Sequence, residues 1–549
     1  MKTINIKNAL FICILLLLLL GLLQSLGKPL FVWNELIYHF EIFDIRGLVK
    51  GSIYLLTYLL AVVSLFVILS LKSFRLFLFF LIFLFLFFSI DLFIQLLGIS
   101  HGFSYAEYSL AMNEIGNYKY LMAYTDMLLK SMGLAFLIVL FLYFIRLKVL
   151  KVKLSSAYLL FPLLSMVIIY FACLRIDTFK LSSYPSAIKI PNIALSYLQF
   201  SKPMKERILD INIKPKEAGQ FQNIVWIIDE SVTGSYLSVN GYAKNTTPYL
   251  NGLVKESQDF SNFGVVNSVS NCSANSNLFL RIGLNPHHHD KKERFSLPTI
   301  YQYAKRAGYK TWLFDSQTRK GHLQNYLTLY DRKSIDQFET LGADVTRIKR
   351  DEVALEHMSS IVNNSSSDRK NFIVLVKYGA HFPYLLTYDQ KFTLFKPVLK
   401  SSYGGMNFEH KEEQLNTYLN SMYFNVDLYL KKMLKKIDLS KTVIFYTSDH
   451  GQNILESENL ARPHCNDEKV VKNELSVPLF VFSKQAKIRF PKEREAFYSQ
   501  IQIFPTTLSL LGYSDDLVSS YGKTLWEGYL NSNERKYMLS SSKEIKVYE

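Results

Sequence analysis

The sequence predicts an α-helical membrane domain of five transmembrane helices followed by a globular α/β domain. Three observations lead there. Apolar stretches of near-spanning length are confined to the first third of the 549 residues. From Phe221 onward, short apolar runs alternate with amphipathic helices, the pattern of a parallel or mostly parallel sheet covered on both faces. The composition, 49% hydrophobic and 15% aromatic with a mean hydropathy of +0.11, is too apolar for a wholly soluble chain and too polar for one embedded throughout. At roughly 150 residues per domain, the length allows two to four domains.

Crossing roughly 30 Å of hydrocarbon takes about 20 apolar residues. Ala9–Leu26, Gly51–Leu71, Leu76–Leu97, Leu128–Ile145 and Leu154–Leu174 approach or meet that length. Asp91 and Lys130 interrupt the third and fourth toward the same predicted face, where snorkelling accounts for a charge. Lys2, Lys7, Lys72, Arg75, Arg146, Lys148, Lys151 and Lys153 flank one side without acids, whereas the opposite loops mix both signs. Basic residues are retained in the cytoplasm, so the amino terminus is predicted inside and everything after about residue 175 outside the inner membrane. The first segment has no A-x-A-like cleavage site and reads as a retained anchor. Part of the net charge of +16 is therefore topogenic and does not call for nucleic acid. The expected domains are 1–180 in the membrane, a linker at 181–220 with an interfacial helix around Ile193–Phe200, and a periplasmic domain at 221–549.

Four apolar runs of that last domain end in polar, metal-capable residues. Asn223–Ile228 leads into Asp229, Glu230 and Ser231; Lys310–Phe314 into Asp315, Ser316 and Gln317. Asn371–Lys377 leads toward His381, and Thr442–Thr447 into Ser448, Asp449 and His450. Between the last two, Leu419, Met422, Val426, Tyr429, Met433 and Ile437 recur at steps of three and four, which predicts a crossover helix. Open α/β sheets bind ligands at the carboxyl ends of their strands. Asp449 and His450, with Glu230 from another strand, offer oxygen and nitrogen donors that suit zinc. In Asn271–Asn277 (NCSANSN), a serine hydroxyl needs a base or a metal to become a nucleophile; without one the segment is an ordinary turn. His381 and His464 are candidates for contacting phosphate or protonating a leaving group. His287–His289 reads as a surface loop. Among four scattered cysteines, one bridge is plausible, Cys272 to Cys465.

Glu230-Ser231 followed by Asn240–Leu250 (NGYAKNTTPYL) resembles the opening motif of the bacterial phosphoethanolamine transferases, which include lipid A modifying enzymes. Gln317 and Lys320-Gly321, Ala380–Pro383, Tyr418, Asn420, Asp427, Ser448–Gly451, His464 and Val477-Pro478 occur in that family's order. The resemblance implies a sulfatase or alkaline-phosphatase type of α/β/α sandwich, and zinc held by Glu230, Asp449, His450 and the nucleophile hydroxyl. Counting four positions from Cys272 places Ser276 at that hydroxyl, with Ser273 as the fallback. Lys320, His381 and His464 then fall at phosphate-contacting or second-metal positions, with Asn277 and Gln317 on the substrate side. Two departures mark a divergent branch: Ile282 stands where the family's local partner for the cysteine belongs, and Gln452 replaces a glutamate.

The implied reaction is ping-pong. Ser276 attacks phosphatidylethanolamine at phosphorus, diacylglycerol leaves after protonation by His464 or His381, and an envelope glycolipid or glycan takes the phosphoethanolamine from the serine. A lipoteichoic-acid-synthase-like glycerol-phosphate transferase shares this layout, and a noncatalytic periplasmic module is the reading of a different class. A sulfatase is disfavoured, because Cys272–Ser276 lacks the Pro and Arg of formylglycine maturation.

Overall fold

The computed structural model of the chain describes residues 45–97, 108, 124–149, 153–176, 186–200, 207–210, 212–284, 296–318, 323–342, 345–365, 369–401, 408–456, 462–466, 470–484, 498–531, 534–539 and 545–548. The chain divides into two compact units at Lys202–Pro203.

The first unit contains α1 (Ile45–Leu69), α2 (Phe74–Leu96), α3 (Thr125–Phe144), α4 (Leu160–Ile176) and α5 (Ser186–Phe200). Two described helical segments, Phe74–Leu96 and Thr125–Leu147, are long and apolar enough to cross a membrane; Leu55–Leu69 and Ser156–Phe171 are apolar but shorter. The expected span Ala9–Leu26 lies outside the described residues. Tyr58, Leu65, Phe77, Leu84, Phe88 and Leu142 pack between helices, while Phe79, Ile82, Phe136 and Leu137 face outward and exposed. An all-round apolar helix with such a surface is the kind that hydrocarbon covers. The guanidinium of Arg146 donates to the carbonyls of Leu69 and Leu71 and lies over the Phe77 ring, closing the carboxyl end of α1.

Asp91 departs from the snorkelling expectation. It is buried against α5, where Lys189 Nζ lies 2.5 Å from one carboxylate oxygen and Ser186 donates to the other at 2.6 Å. A charge inside an apolar bundle is tolerated when paired and hydrogen-bonded, and here the partners come from the first turn of α5, which begins at Ser186, ahead of the Ile193–Phe200 segment expected to be helical. Lys130 is exposed and pairs with Asp126 one turn away.

The second unit is built on a seven-stranded sheet in the order β2-β7-β6-β1-β5-β3-β4. The strands are β1 (Asn223–Asp229), β2 (Phe260–Asn267), β3 (Tyr309–Asp315), β4 (Gln337–Thr340), β5 (Lys370–Val376), β6 (Thr442–Ser448) and β7 (Ser476–Phe482). Only β7 runs against the others. The bodies of β1, β6 and β7 are buried at every position, so both faces are covered and the runs read as continuously apolar. The crossover before β6 is α8 (Lys411–Met422) and α9 (Tyr429–Lys436), joined by a π-turn at Tyr423–Leu428. Two earlier helices matter for the site: α6 (Pro248–Glu256) and α7 (Ser273–Ile282). Asp427 in the π-turn accepts the backbone N–H groups of Tyr249 and Leu250 at the start of α6.

Candidate functional site

Parallel pairing of β1 with β6 sets Asp229 opposite Ser448, and the N–H of Asp449 donates to the Asp229 carbonyl at 2.9 Å. The next residues on both strands, Glu230 and Asp449-His450, therefore leave the sheet side by side. One ligand atom from each lies within 4.8 Å of the others, and all three residues are buried. His450 Nε2 is 3.5 Å from Glu230 Oε1 and 3.7 Å from Asp449 Oδ2. His450 Nδ1 donates to the Gly451 carbonyl at 2.7 Å, which leaves the Nε2 lone pair facing the cluster.

This corner is over-determined. Ser231 takes the left-handed conformation (φ 64), which a residue with a side chain adopts only where its surroundings impose it. In return its N–H reaches Asp449 Oδ1 at 3.1 Å and its hydroxyl donates to Glu230 Oε1 at 2.6 Å. The Tyr418 hydroxyl, from α8, donates to the Ser231 carbonyl at 2.7 Å. At Gly379 (φ 51) any Cβ would collide with the Asp229 carboxylate. Behind Glu230, the buried Lys377 ammonium pairs with Asp229, donates to the Asn425 carbonyl of the π-turn and lies 4.0 Å from the Tyr429 ring centroid. Asp229 also accepts the Tyr446 hydroxyl and the Glu230 N–H.

The donors fit a metal. Asp449 Oδ2 is buried and has no hydrogen-bond partner, the state of an oxygen shaped to receive a cation. Two carboxylates and an imidazole with a hydroxyl alongside suit zinc with an open position. Burial, and then the Glu230 carboxylate, push Asp449 up to about 8. Burial, reinforced by His450, Arg462 and His381, holds His464 well below the ordinary imidazole range, so that ring is neutral.

The two serines separate. Ser273 opens α7 and its Oγ lies 3.0 Å from His450 Nε2. It is partly exposed, hence reachable. Ser276 is fully buried and its hydroxyl donates to the Ser270 carbonyl at 2.9 Å. Ser276, expected beside the three candidate ligands, lies one helical turn farther along α7 with its hydroxyl turned toward the preceding loop, and of the two serines Ser273 is the one hydrogen-bonded to the trio. Asn277 is likewise spent within the helix, donating to the Ser273 carbonyl at 3.0 Å. Gln317 is brought to the site, but to the ligand: its amide donates to Glu230 Oε2 at 2.9 Å and to the Lys377 carbonyl at 2.7 Å. The His464 ring lies 4.2 Å from that of His450. His381 donates from Nδ1 to the Phe382 carbonyl and stacks on Tyr378. Lys320 lies outside the described residues. Cys272 and Cys465 form a disulfide. Sequence reasoning placed Ser231 in a motif without a role and passed over Lys377 and Tyr446; a lysine ending an otherwise apolar run was the one signal available.

The family profile described as Sulfatase matches residues 222–513. The chain is 24% identical over 345 residues to the Kdo(2)-lipid A phosphoethanolamine 7''-transferase of Escherichia coli K12, covering 58% of this chain and 55% of that protein. It thus spans about half the length of the curated relatives it matches. The zinc complex of the periplasmic domain of EptC from Escherichia coli superposes with a TM-score of 0.53 at 20% identity, over 63% of this chain and 96% of that one. The integral membrane lipooligosaccharide phosphoethanolamine transferase A of Neisseria meningitidis does so with a TM-score of 0.62 at 17% identity, over 94% of this chain and 99% of that one. At these identities the likeness shows the fold.

Proposed function

The chain belongs to the sulfatase family, and from that premise we propose that it transfers phosphoethanolamine from phosphatidylethanolamine to an envelope glycolipid or glycan, lipid A or a core sugar being favoured, through a phosphoserine intermediate on Ser273. The observation that carries this reading is the Ser273 hydroxyl beside a buried Glu-Asp-His cluster at the carboxyl ends of adjacent strands. The named activities of the relatives support transfer of this group over hydrolysis of a sulfate.

Glu230, Asp449 and His450 hold zinc, which supplies Lewis acidity for an alkoxide and for the charge on phosphoryl oxygens. The Ser273 hydroxyl, at the first position of α7, attacks phosphorus where the positive end of the helix dipole favours negative charge. As the new P–O bond forms, the Ser273 proton passes to the neutral His464, the bond to the diacylglycerol oxygen breaks and that oxygen takes a proton from His381. In the second half-reaction the acceptor hydroxyl gives its proton to His381 as it attacks phosphorus, the serine ester breaks, and the Ser273 oxygen takes back the proton held by His464, which restores all three groups. Gln317 and Ser231 orient Glu230 throughout, the task of partners behind a ligand.

We place the protein in a bacterial inner membrane with five spans, its amino terminus in the cytoplasm and residues 221–549 in the periplasm. The apolar surfaces of α2 and α3 and the disulfide, which persists in oxidising compartments, support this. Tethering confines the site beside its lipid donor. Mass spectrometry of envelope glycolipids with and without the gene tests the proposal: a phosphoethanolamine increment that disappears on deletion is expected, and identical glycolipid profiles contradict it.

A further inference from the structure

The groups of the site are anchored in two different ways. Glu230 directly follows β1, and Asp449 and His450 directly follow β6, so hydrogen-bonded strands at the centre of the sheet position all three ligands. Ser273 and His464 come from outside the sheet, one from the start of a helix and the other from a loop. Both bear on the same ring: Ser273 Oγ lies 3.0 Å from His450 Nε2, and the His464 ring lies 4.2 Å from the His450 ring.

Cys272 immediately precedes Ser273, and Cys465 immediately follows His464. Their bridge joins positions 193 residues apart, with the Cα atoms 4.8 Å from each other. The flanking backbones run together as well. The Cys465 N–H donates to the Asn271 carbonyl at 2.9 Å, and the Asn271 amide donates to the Asn466 carbonyl at 2.6 Å and to Glu474 Oε2 at 2.9 Å. The Asn466 amide donates to the other oxygen of Glu474 at 2.7 Å. Cys465 sits in the left-handed region (φ 62), a conformation its surroundings impose.

We infer that the Cys272–Cys465 disulfide is a positioning bond for the reaction, setting the Ser273 hydroxyl and the His464 imidazole in register against His450 while the metal ligands are positioned without it. The inference rests on the reading of Ser273 as nucleophile. Its consequence is a division that a purely structural bridge would not produce: losing the bridge lowers turnover and spares the metal.

The test uses the full-length protein in detergent with head-group-labelled phosphatidylethanolamine. For the Cys272→Ala/Cys465→Ala double variant, kcat falls about tenfold or more, as displacement of reacting groups by a fraction of an ångström to 1 Å requires. KM for the donor and the zinc content per chain stay at wild-type values. As a second arm, wild-type protein is reduced with a phosphine, which becomes the phosphine oxide as the disulfide becomes two thiols; kcat falls while zinc is retained, and reoxidation restores it. This arm decides the matter where the double variant does not fold. Unchanged kcat without the bridge, or zinc lost in parallel with activity, overturns the inference. Wild-type protein that never turns the donor over overturns the transfer reading itself, an outcome distinct from a variant that matches an active wild type.

Discussion

The hydroxyl of Ser273 lies 3.0 Å from Nε2 of His450, a residue 177 positions later in the chain. Because His450 Nδ1 is committed to the Gly451 carbonyl, the serine is the donor in that contact. The contact sets the Ser273 oxygen beside the buried Glu230, Asp449 and His450 cluster, whereas the Ser276 hydroxyl is bonded to a carbonyl of the preceding loop.

The two serines therefore respond differently to alanine. Ser273→Ala lowers transfer by roughly 10³-fold or more, the scale of losing a nucleophile, and leaves zinc bound. Ser276→Ala loses one buried hydrogen bond, destabilising the fold by about 1 kcal/mol, and keeps most of its activity. Turnover of labelled donor, metal analysis and denaturant unfolding of both variants check this.

Much of the site was legible in advance because strand ends announce themselves. Asn223–Ile228, Lys310–Phe314, Asn371–Lys377 and Thr442–Thr447 match β1, β3, β5 and β6 to within a residue or so, since strands buried on both faces are continuous apolar runs and their polar termini stand out. The meeting of Glu230, Asp449 and His450 followed from those ends. The serine beside them did not, because the count from Cys272 led to Ser276, whereas Ser273 makes the contact with His450 and the partner of Cys272 is Cys465. Ile282 in the place of that local partner was the available warning. The role of Gln317, the Asp91–Lys189 pair and the network around Lys377 depend on which strands and helices become neighbours, which no local pattern encodes.

Asp449 gives the metal-free protein a pH dependence of definite sign. Its carboxyl titrates at 3.8 when unperturbed and is pushed up to about 8 in the fold, mainly by burial and then by Glu230. Between those pH values the native state binds more protons than the unfolded chain, so stability falls as pH rises and levels off above about 8. Denaturant unfolding of chelator-treated protein from pH 5 to pH 8 shows this loss. Asp449→Asn flattens it, and zinc, which displaces the proton, binds more tightly as pH rises through the same window.

Lys377 and Asp229 are a fully buried ion pair behind Glu230. Removing one partner strands the other charge, so Lys377→Met destabilises the protein by about 3–5 kcal/mol. The double variant Asp229→Asn/Lys377→Met loses less than the sum of the two single variants, because neither charge is left alone. Unfolding curves for the two singles and the double measure the coupling.

The most direct measurement is the site of covalent labelling. Zinc-loaded protein is incubated with head-group-labelled phosphatidylethanolamine without acceptor, quenched in acid, digested and sequenced by mass spectrometry. The account predicts phosphoethanolamine on Ser273, absent from Ser273→Ala and removed when acceptor glycolipid is added before the quench. Label on Ser276, or a zinc-loaded protein that never carries the group, contradicts it.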